Sequence, residues 1–234
     1  MNGECREEGR DETRMAIVGI QQMILSFFWV LSACAILTGG SAMAIEEPEY
    51  SVERKTDRFE IRQYRPLIVA ETFVDGDLGD ASNAGFRRIA AYIFGDNQSA
   101  RSVDGQAAGS AKETIAMTAP VTVEPQSLVA SKAMDANRWR IHFVMPKQYS
   151  MASLPRPTNP LVILREVPSK RYAVLSFSGF TGVDKSQSLT EELIAWTKAQ
   201  GLSPVASPQM ARYDPPWRLP FFRRNEILLE IATP

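Results

Sequence analysis

Residues 77–95 read Asp77-Leu-Gly-Asp-Ala-Ser-Asn-Ala-Gly-Phe-Arg-Arg-Ile-Ala-Ala-Tyr-Ile-Phe-Gly95. Phe86, Ile89, Ala90, Ile93 and Phe94 recur at the i, i+3, i+4, i+7, i+8 spacing of one helix face, and Gly95 supplies the stop. Phe86, Ile89 and Ile93 are therefore expected in the core. Upstream, residues 50–54, 59–64 and 67–74 read as strands, with Pro66 parting the last two. Downstream, residues 113–124 and 138–146 are β-type, and Pro120 is expected to end or kink the first of them.

The same order then repeats: strands at 161–167 and 172–178, a helix at 184–200 with Leu189, Leu193 and Trp196 on one face and Gly201 as its stop, then strands at 203–213 and 226–231. Ile61-Arg62 lies 34 residues before Gly95, and Leu164-Arg165 lies 37 before Gly201. This predicts an α+β domain: a pseudo-twofold, duplicated strand–strand–helix–strand–strand unit whose halves share one sheet with both helices packed on it. Residues 96–112, 126–137 and 150–160 read as loops. The connection at 214–224 differs, because Asp214-Pro-Pro-Trp-Arg-Leu-Pro-Phe-Phe-Arg-Arg224 sets three aromatic and three cationic residues in a proline-stiffened loop.

The formal net charge is −1, and residues 45–234 carry about +1 once the acidic N-terminal segment is set aside, so nothing points to nucleic acid. The two cysteines, Cys5 and Cys34, both precede the globular part, which excludes an internal disulfide framework or thiolate-ligated centre. Residues 15–44 hold no charge and end in Ala42-Met-Ala44, which reads as a signal peptide cleaved before Ile45; uncleaved, the stretch is long enough to anchor the chain in a membrane. A third reading takes Leu31-Ser32-Ala33-Cys34 as a lipobox with Cys34 diacylated. The expected organisation is a leader or anchor at 1–44 and one domain at 45–234, located in the periplasm or otherwise outside the cytoplasm, with any membrane association carried by residues 15–44.

Several stretches match one family in order: Tyr50-Ser-Val-Glu53, Phe59-Glu-Ile-Arg-Gln-Tyr64, Gly85-Phe86, Tyr92-Ile-Phe-Gly-Asp-Asn97, Ile115-Ala-Met-Thr-Ala-Pro-Val121, Phe143-Val-Met-Pro146, Leu154-Pro-Arg-Pro157, Phe177-Ser-Gly179 and Arg223-Arg-Asn-Glu226. Together they resemble the SOUL haem-binding proteins. The resemblance implies a distorted antiparallel β-barrel with two flanking helices, and haem or porphyrin binding without a catalytic step.

Haem binding needs apolar surface for the ring, cations for the propionates and, optionally, an axial ligand. The rings of Trp217, Phe221 and Phe222 with Arg218, Arg223 and Arg224 form the leading candidate site; the secondary candidates are a pocket beside the first helix near Arg88 and Tyr92, and Met117 as a weak iron ligand. The alternative is a loop whose rings plug the barrel end while Arg224-Asn225-Glu226 is solvated. His142, the single histidine, alternates with Arg140 and is expected on a solvent-facing strand surface, so the cofactor is haem or metal-free porphyrin without a strong axial ligand. Paired carboxylates such as Glu191-Glu192 read as surface charge, and no phosphate loop or nucleophile elbow occurs. The expected function is a non-enzymatic tetrapyrrole carrier or buffer. The competing one is a membrane-associated module that engages a protein or lipid, without physiological haem binding.

Overall fold

The computed structural model describes residues 45–100, 107, 109, 111–126 and 136–233. The leader, anchor and lipobox expected in residues 1–44 lie outside the described residues. Strands β1 (Tyr50–Thr56), β2 (Phe59–Tyr64) and β3 (Leu67–Asp75) lead into helix α1 (Leu78–Ile93), followed by β4 (Asn97–Gln98), β5 (Val121–Pro125), β6 (Arg138–Val144) and β7 (Arg156–Pro157). Then come β8 (Ile163–Val167), β9 (Lys170–Ser178), α2 (Val183–Ala199), β10 (Gln209–Arg212), a 3-10 turn (Pro220–Phe222) and β11 (Arg224–Ile231). Asp77 caps α1 by accepting a hydrogen bond of 2.9 Å from the Asp80 N–H, which satisfies one of the free donors of the first turn. Among the described residues no helix is long and apolar enough to cross a membrane.

Nine strands form one antiparallel sheet in the order β1-β2-β9-β11-β10-β5-β6-β3-β8, and β4 pairs with β7 apart from it. The sheet curls into a half-barrel with the helices outside, which is the α+β architecture expected from the sequence. The duplication is visible residue by residue. Along their nine positions β3 and β9 share one pattern of burial. Ala70 in β3 pairs with Phe143 and Leu164, and Ala173 in β9 pairs with Leu229 and Ile61, so these are equivalent places in the two halves. Arg62 and Arg165 are equivalent for the same reason. Strands are exchanged between the halves: β2, from the first half, completes the sheet of the second beside β9, while β8 completes the first beside β3.

The outer face is apolar and carries α1 and α2; Ile89, Ile93, Ile141, Phe143, Leu175 and Leu193 belong to its core. Alpha-helix α1 rests on β6 at Gly85, where a Cβ would come within 2.6 Å of Ile141 Cγ1, so a larger residue would push the helix off the sheet. Ile89 and Ile93 are buried as expected, but Phe86 is 39% exposed. The contact line runs through Ser82, Gly85, Ile89 and Ile93, which leaves Phe86 at the helix border with its ring 5.6 Å from that of Phe143.

Two strand expectations are corrected. Residues 113–120 are not strand: Asn97 holds Glu113 through its side-chain amide (Asn97 Nδ2 to Glu113 O 2.7 Å, Glu113 N to Asn97 Oδ1 3.0 Å), and β5 starts only after the cis Ala119–Pro120 bond. The segment 203–213 is strand only at 209–212. The two-residue strands β4 and β7 fall in stretches read as loops.

Candidate ligand-binding site

The 214–224 loop connects β10 to β11 and stands outside the half-barrel. Trp217 is 84% exposed, and Phe221, Phe222 and Leu219 also present their side chains to solvent, as does Phe180 from the turn after β9. The Phe221 and Phe222 rings touch, with centroids 4.5 Å apart. The rings therefore do not plug the barrel end; they leave an exposed apolar platform on the loop. Three arginines border it in different electrical states. Arg218 donates to the Asp214 carboxylate, and Arg224 donates to Glu47 while lying 3.4 Å from the Tyr213 ring centroid. Arg223 donates to two backbone carbonyls, of Pro216 and Arg218, and lies 5.5 Å from the Phe180 ring centroid. Carbonyls fix its direction without neutralising its charge.

The secondary residues separate. Thr118 bridges to Glu46 and Ala119 donates to the Glu46 carbonyl, next to the Glu47 that holds Arg224, so Met117 joins the loop's end of the sheet and is partly exposed there. Arg88 instead donates to Thr72 Oγ1 and the Phe73 carbonyl under α1. Tyr92 is buried and donates to the Pro155 carbonyl at 2.9 Å, a tie between α1 and the segment before β7. Neither is brought to the platform.

The inner face of the half-barrel is charged where the outer one is apolar. Arg62, 3% exposed, donates to both carboxylate oxygens of Glu226 (2.9 and 3.0 Å), to Glu60 and to Tyr64 Oη, with Tyr213 donating to Glu226 at 2.7 Å. Burial beside this carboxylate pushes the Tyr213 hydroxyl pKa well above the ordinary tyrosine value. Asn225 and Glu226 are thus buried, not solvated. Across the lumen Arg165 donates to both oxygens of Glu71 (2.9 and 2.8 Å), and Arg140 donates to Glu124.

His142 sits in this lumen, which corrects the solvent-facing expectation: the polar face of β6 points inward because the half-barrel is lined by charge, and the outer face is reserved for the helices. Its Nδ1 is buried without a hydrogen-bond partner, as is Arg140 Nε. Burial, followed by Arg140 and Arg165, lowers the imidazole pKa to about 3, so it is neutral at ordinary pH. The space beside it is about 70 Å³ and adjoins a groove of about 740 Å³ at the end of the sheet. No tetrapyrrole fits the smaller space, since small-molecule pockets span roughly 300–1,000 Å³.

A family model described as "SOUL heme-binding protein" matches residues 45–230, most of the chain. The chain belongs to the SOUL family. No curated protein matches it. Among solved structures, the C-terminal domain of EcmrR aligns with a TM-score of 0.54 at 10% identity over 79% of this chain and 99% of that one. An uncharacterized conserved protein from Listeria innocua aligns at 0.50 and 10% identity, over 75% of this chain and 92% of that one. At such identity the likeness shows the fold alone. SOUL membership implies haem or tetrapyrrole binding, and the family is one of binding proteins. Several of the SOUL-like stretches have structural work in this chain: Asn97 ties α1 to residue 113, and Glu226 of Arg223-Arg-Asn-Glu226 is the buried partner of Arg62.

Proposed function

We propose that this SOUL protein is an exported tetrapyrrole carrier or buffer that holds the ring on the Trp217–Phe222 platform and a propionate on Arg223. The observation that carries this is the exposed ring cluster beside a guanidinium whose bonds all go to neutral carbonyls. A flat macrocycle gains from covering such rings, at roughly 2.5 kcal/mol for each ~100 Å² of apolar area removed from water. A carboxylate gains a charge-assisted hydrogen bond. The end groove is large enough for a ring, but its cations Arg65 and Lys147 are both engaged with Glu49, so the propionates have more to gain at Arg223. His142 is walled into the lumen and Met117 is a weak ligand, which supports a ring held without a strong axial bond and therefore released readily.

Titrating the full chain with hemin and with protoporphyrin while following visible absorption tests the proposal. Both ligands are expected to bind; Trp217→Ala and Phe221→Ala weaken both alike, Arg223→Ala weakens binding by roughly 1–3 kcal/mol, and His142→Ala changes it by less than about threefold (~0.7 kcal/mol). Loss of hemin but not porphyrin in His142→Ala would refute it. An apolar platform that binds vesicles and neither tetrapyrrole would favour the interaction-module reading. Export is read from Ala42-Met-Ala44: N-terminal sequencing of the native protein is expected to begin at Ile45, whereas a blocked Cys34 would indicate lipidation and an intact Met1 an anchor.

A further inference from the structure

The platform does not use the lumen, and the lumen contains two polar groups that the fold leaves unsatisfied. His142 Nδ1 and Arg140 Nε project from the same face of β6, two residues apart, and neither has a partner among the described residues. Every other strong pair around them is complete: Arg165 is bidentate to Glu71, Arg140 reaches Glu124 through its Nη2, and Lys170 of β9 donates to Glu230. Burying a donor without an acceptor leaves its lost hydration uncompensated. Two such atoms side by side in a lined cavity therefore describe a place where something else supplies oxygen.

The chemistry of that something follows from the donors and from the space. Arg140 Nε carries a hydrogen and can only donate. A neutral imidazole donates from Nδ1 in one of its two tautomers, and the two guanidiniums facing it, Arg140 and Arg165, make the surroundings hostile to a cation. The group that fits is an anionic acceptor with two oxygens. The space supplies the rest. The polar chamber of about 70 Å³ and the groove of about 740 Å³ share Pro48, Leu67, Val144, Val167 and Pro168, an apolar neck with Arg65 as its one charged member. A head no larger than a carboxylate fits the chamber, and an unbranched apolar chain fits the neck and the groove beyond it.

We propose that the half-barrel lumen is a second binding site, separate from the tetrapyrrole platform, for a linear aliphatic carboxylate whose head accepts hydrogen bonds from His142 Nδ1 and Arg140 Nε and whose chain leaves through the neck. Arg165 and Thr122 flank the head, and Glu71 and Glu124 stay with their arginines, so the site takes the anion without displacing an existing pair.

Calorimetric titration of the full chain with dodecanoate, dodecanol and dodecyltrimethylammonium tests this. Dodecanoate is expected to saturate one site, with dodecanol roughly tenfold weaker or more, the scale of a lost charge-assisted hydrogen bond. His142→Leu is expected to weaken dodecanoate by about tenfold and leave dodecanol unchanged, and His142→Gln, which keeps an N–H donor, to retain most of the binding. Should His142→Leu fail to fold, the imidazole nitrogen resonances of the wild-type chain decide: they shift with dodecanoate and not with dodecanol. The proposal is overturned if dodecanoate shows no saturable binding, which would mean that water satisfies the two donors. It is equally overturned if the quaternary amine binds as well, if His142→Leu folds and binds unchanged, or if the imidazole resonances stay still.

Discussion

Arg62 and Arg165 occupy equivalent places in the two halves, and each forks onto a buried carboxylate, yet their surroundings end differently. Around Arg62 the pairing is complete: Glu226, Glu60, Tyr64 and Tyr213 close a network, and Tyr50 lies across the guanidinium at 4.3 Å from its ring centroid. Around Arg165 the pairing leaves His142 and Arg140 each with an atom unused. Fully satisfied polar networks make a fold rigid, whereas partly satisfied ones carry the cost of buried unpaired groups. One half of the lumen is a lock and the other is arranged to receive.

The comparison breaks most thoroughly when the halves are parted. Because β2 pairs with β9 and β8 with β3, each half expressed alone lacks the strand that closes it. Fragments 45–147 and 148–234 are expected to give no cooperative melt by circular dichroism, and an independent transition in either would contradict the shared sheet. Next in size is Arg62→Met, which strands Glu226 and Glu60 and is expected to cost about 3–5 kcal/mol in denaturant unfolding. Arg165→Met is expected to cost less, about 1–2 kcal/mol, because its side chain is 36% exposed and Arg140 remains 3.7 Å from Glu71. Equal costs would erase the distinction drawn between the two halves.

A further effect is a pH dependence confined to the unsatisfied side. The unfolded imidazole takes its proton near pH 6.5 and the folded one only near 3, so the unfolded state binds more protons between those values. Stability from this group is fully present above pH 6.5 and falls as the solution is acidified toward pH 3, with a slope approaching ~1.4 kcal/mol per pH unit. Arg140 of β6, Arg165 of β8, Glu71 of β3, Glu124 of β5 and Tyr172 of β9 surround it, and their pairs remain in His142→Gln. That variant is expected to show a shallower decline in denaturation midpoint over pH 6.5–4; an unchanged slope would mean that His142 is protonated in the folded state.

Both helices, their glycine stops and the duplication of Ile61-Arg62 in Leu164-Arg165 were readable, because apolar periodicity and repeat spacing are local properties. The facing of β6 was not. Alternation of Trp139, Ile141 and Phe143 with Arg140 and His142 correctly divides the two faces, but sequence alone does not say that a charged face can be interior when a sheet curls around it. The Arg62–Glu226 pair escaped for a related reason: its members lie 164 residues apart, and Arg223-Arg-Asn-Glu226 looks like a solvated run until β11 is placed beside β9. The 214–224 loop was singled out by composition, while the difference between Arg223 and its two neutralised neighbours appears only with their partners in view.

The exchange of strands between the halves also sets the order in which this chain can acquire its shape. No sheet that includes β2 in its final place exists until β9 has been made, and the lumen is not enclosed until β11 arrives behind it. Pairings of such long sequence separation slow the search for the folded state and keep unpaired edges open during it. A growing chain can close the β1–β2 hairpin at once, but the other edge of β2 stays open until β9 emerges, which makes that edge, and not the late strands, the place where a holding chaperone has most to cover.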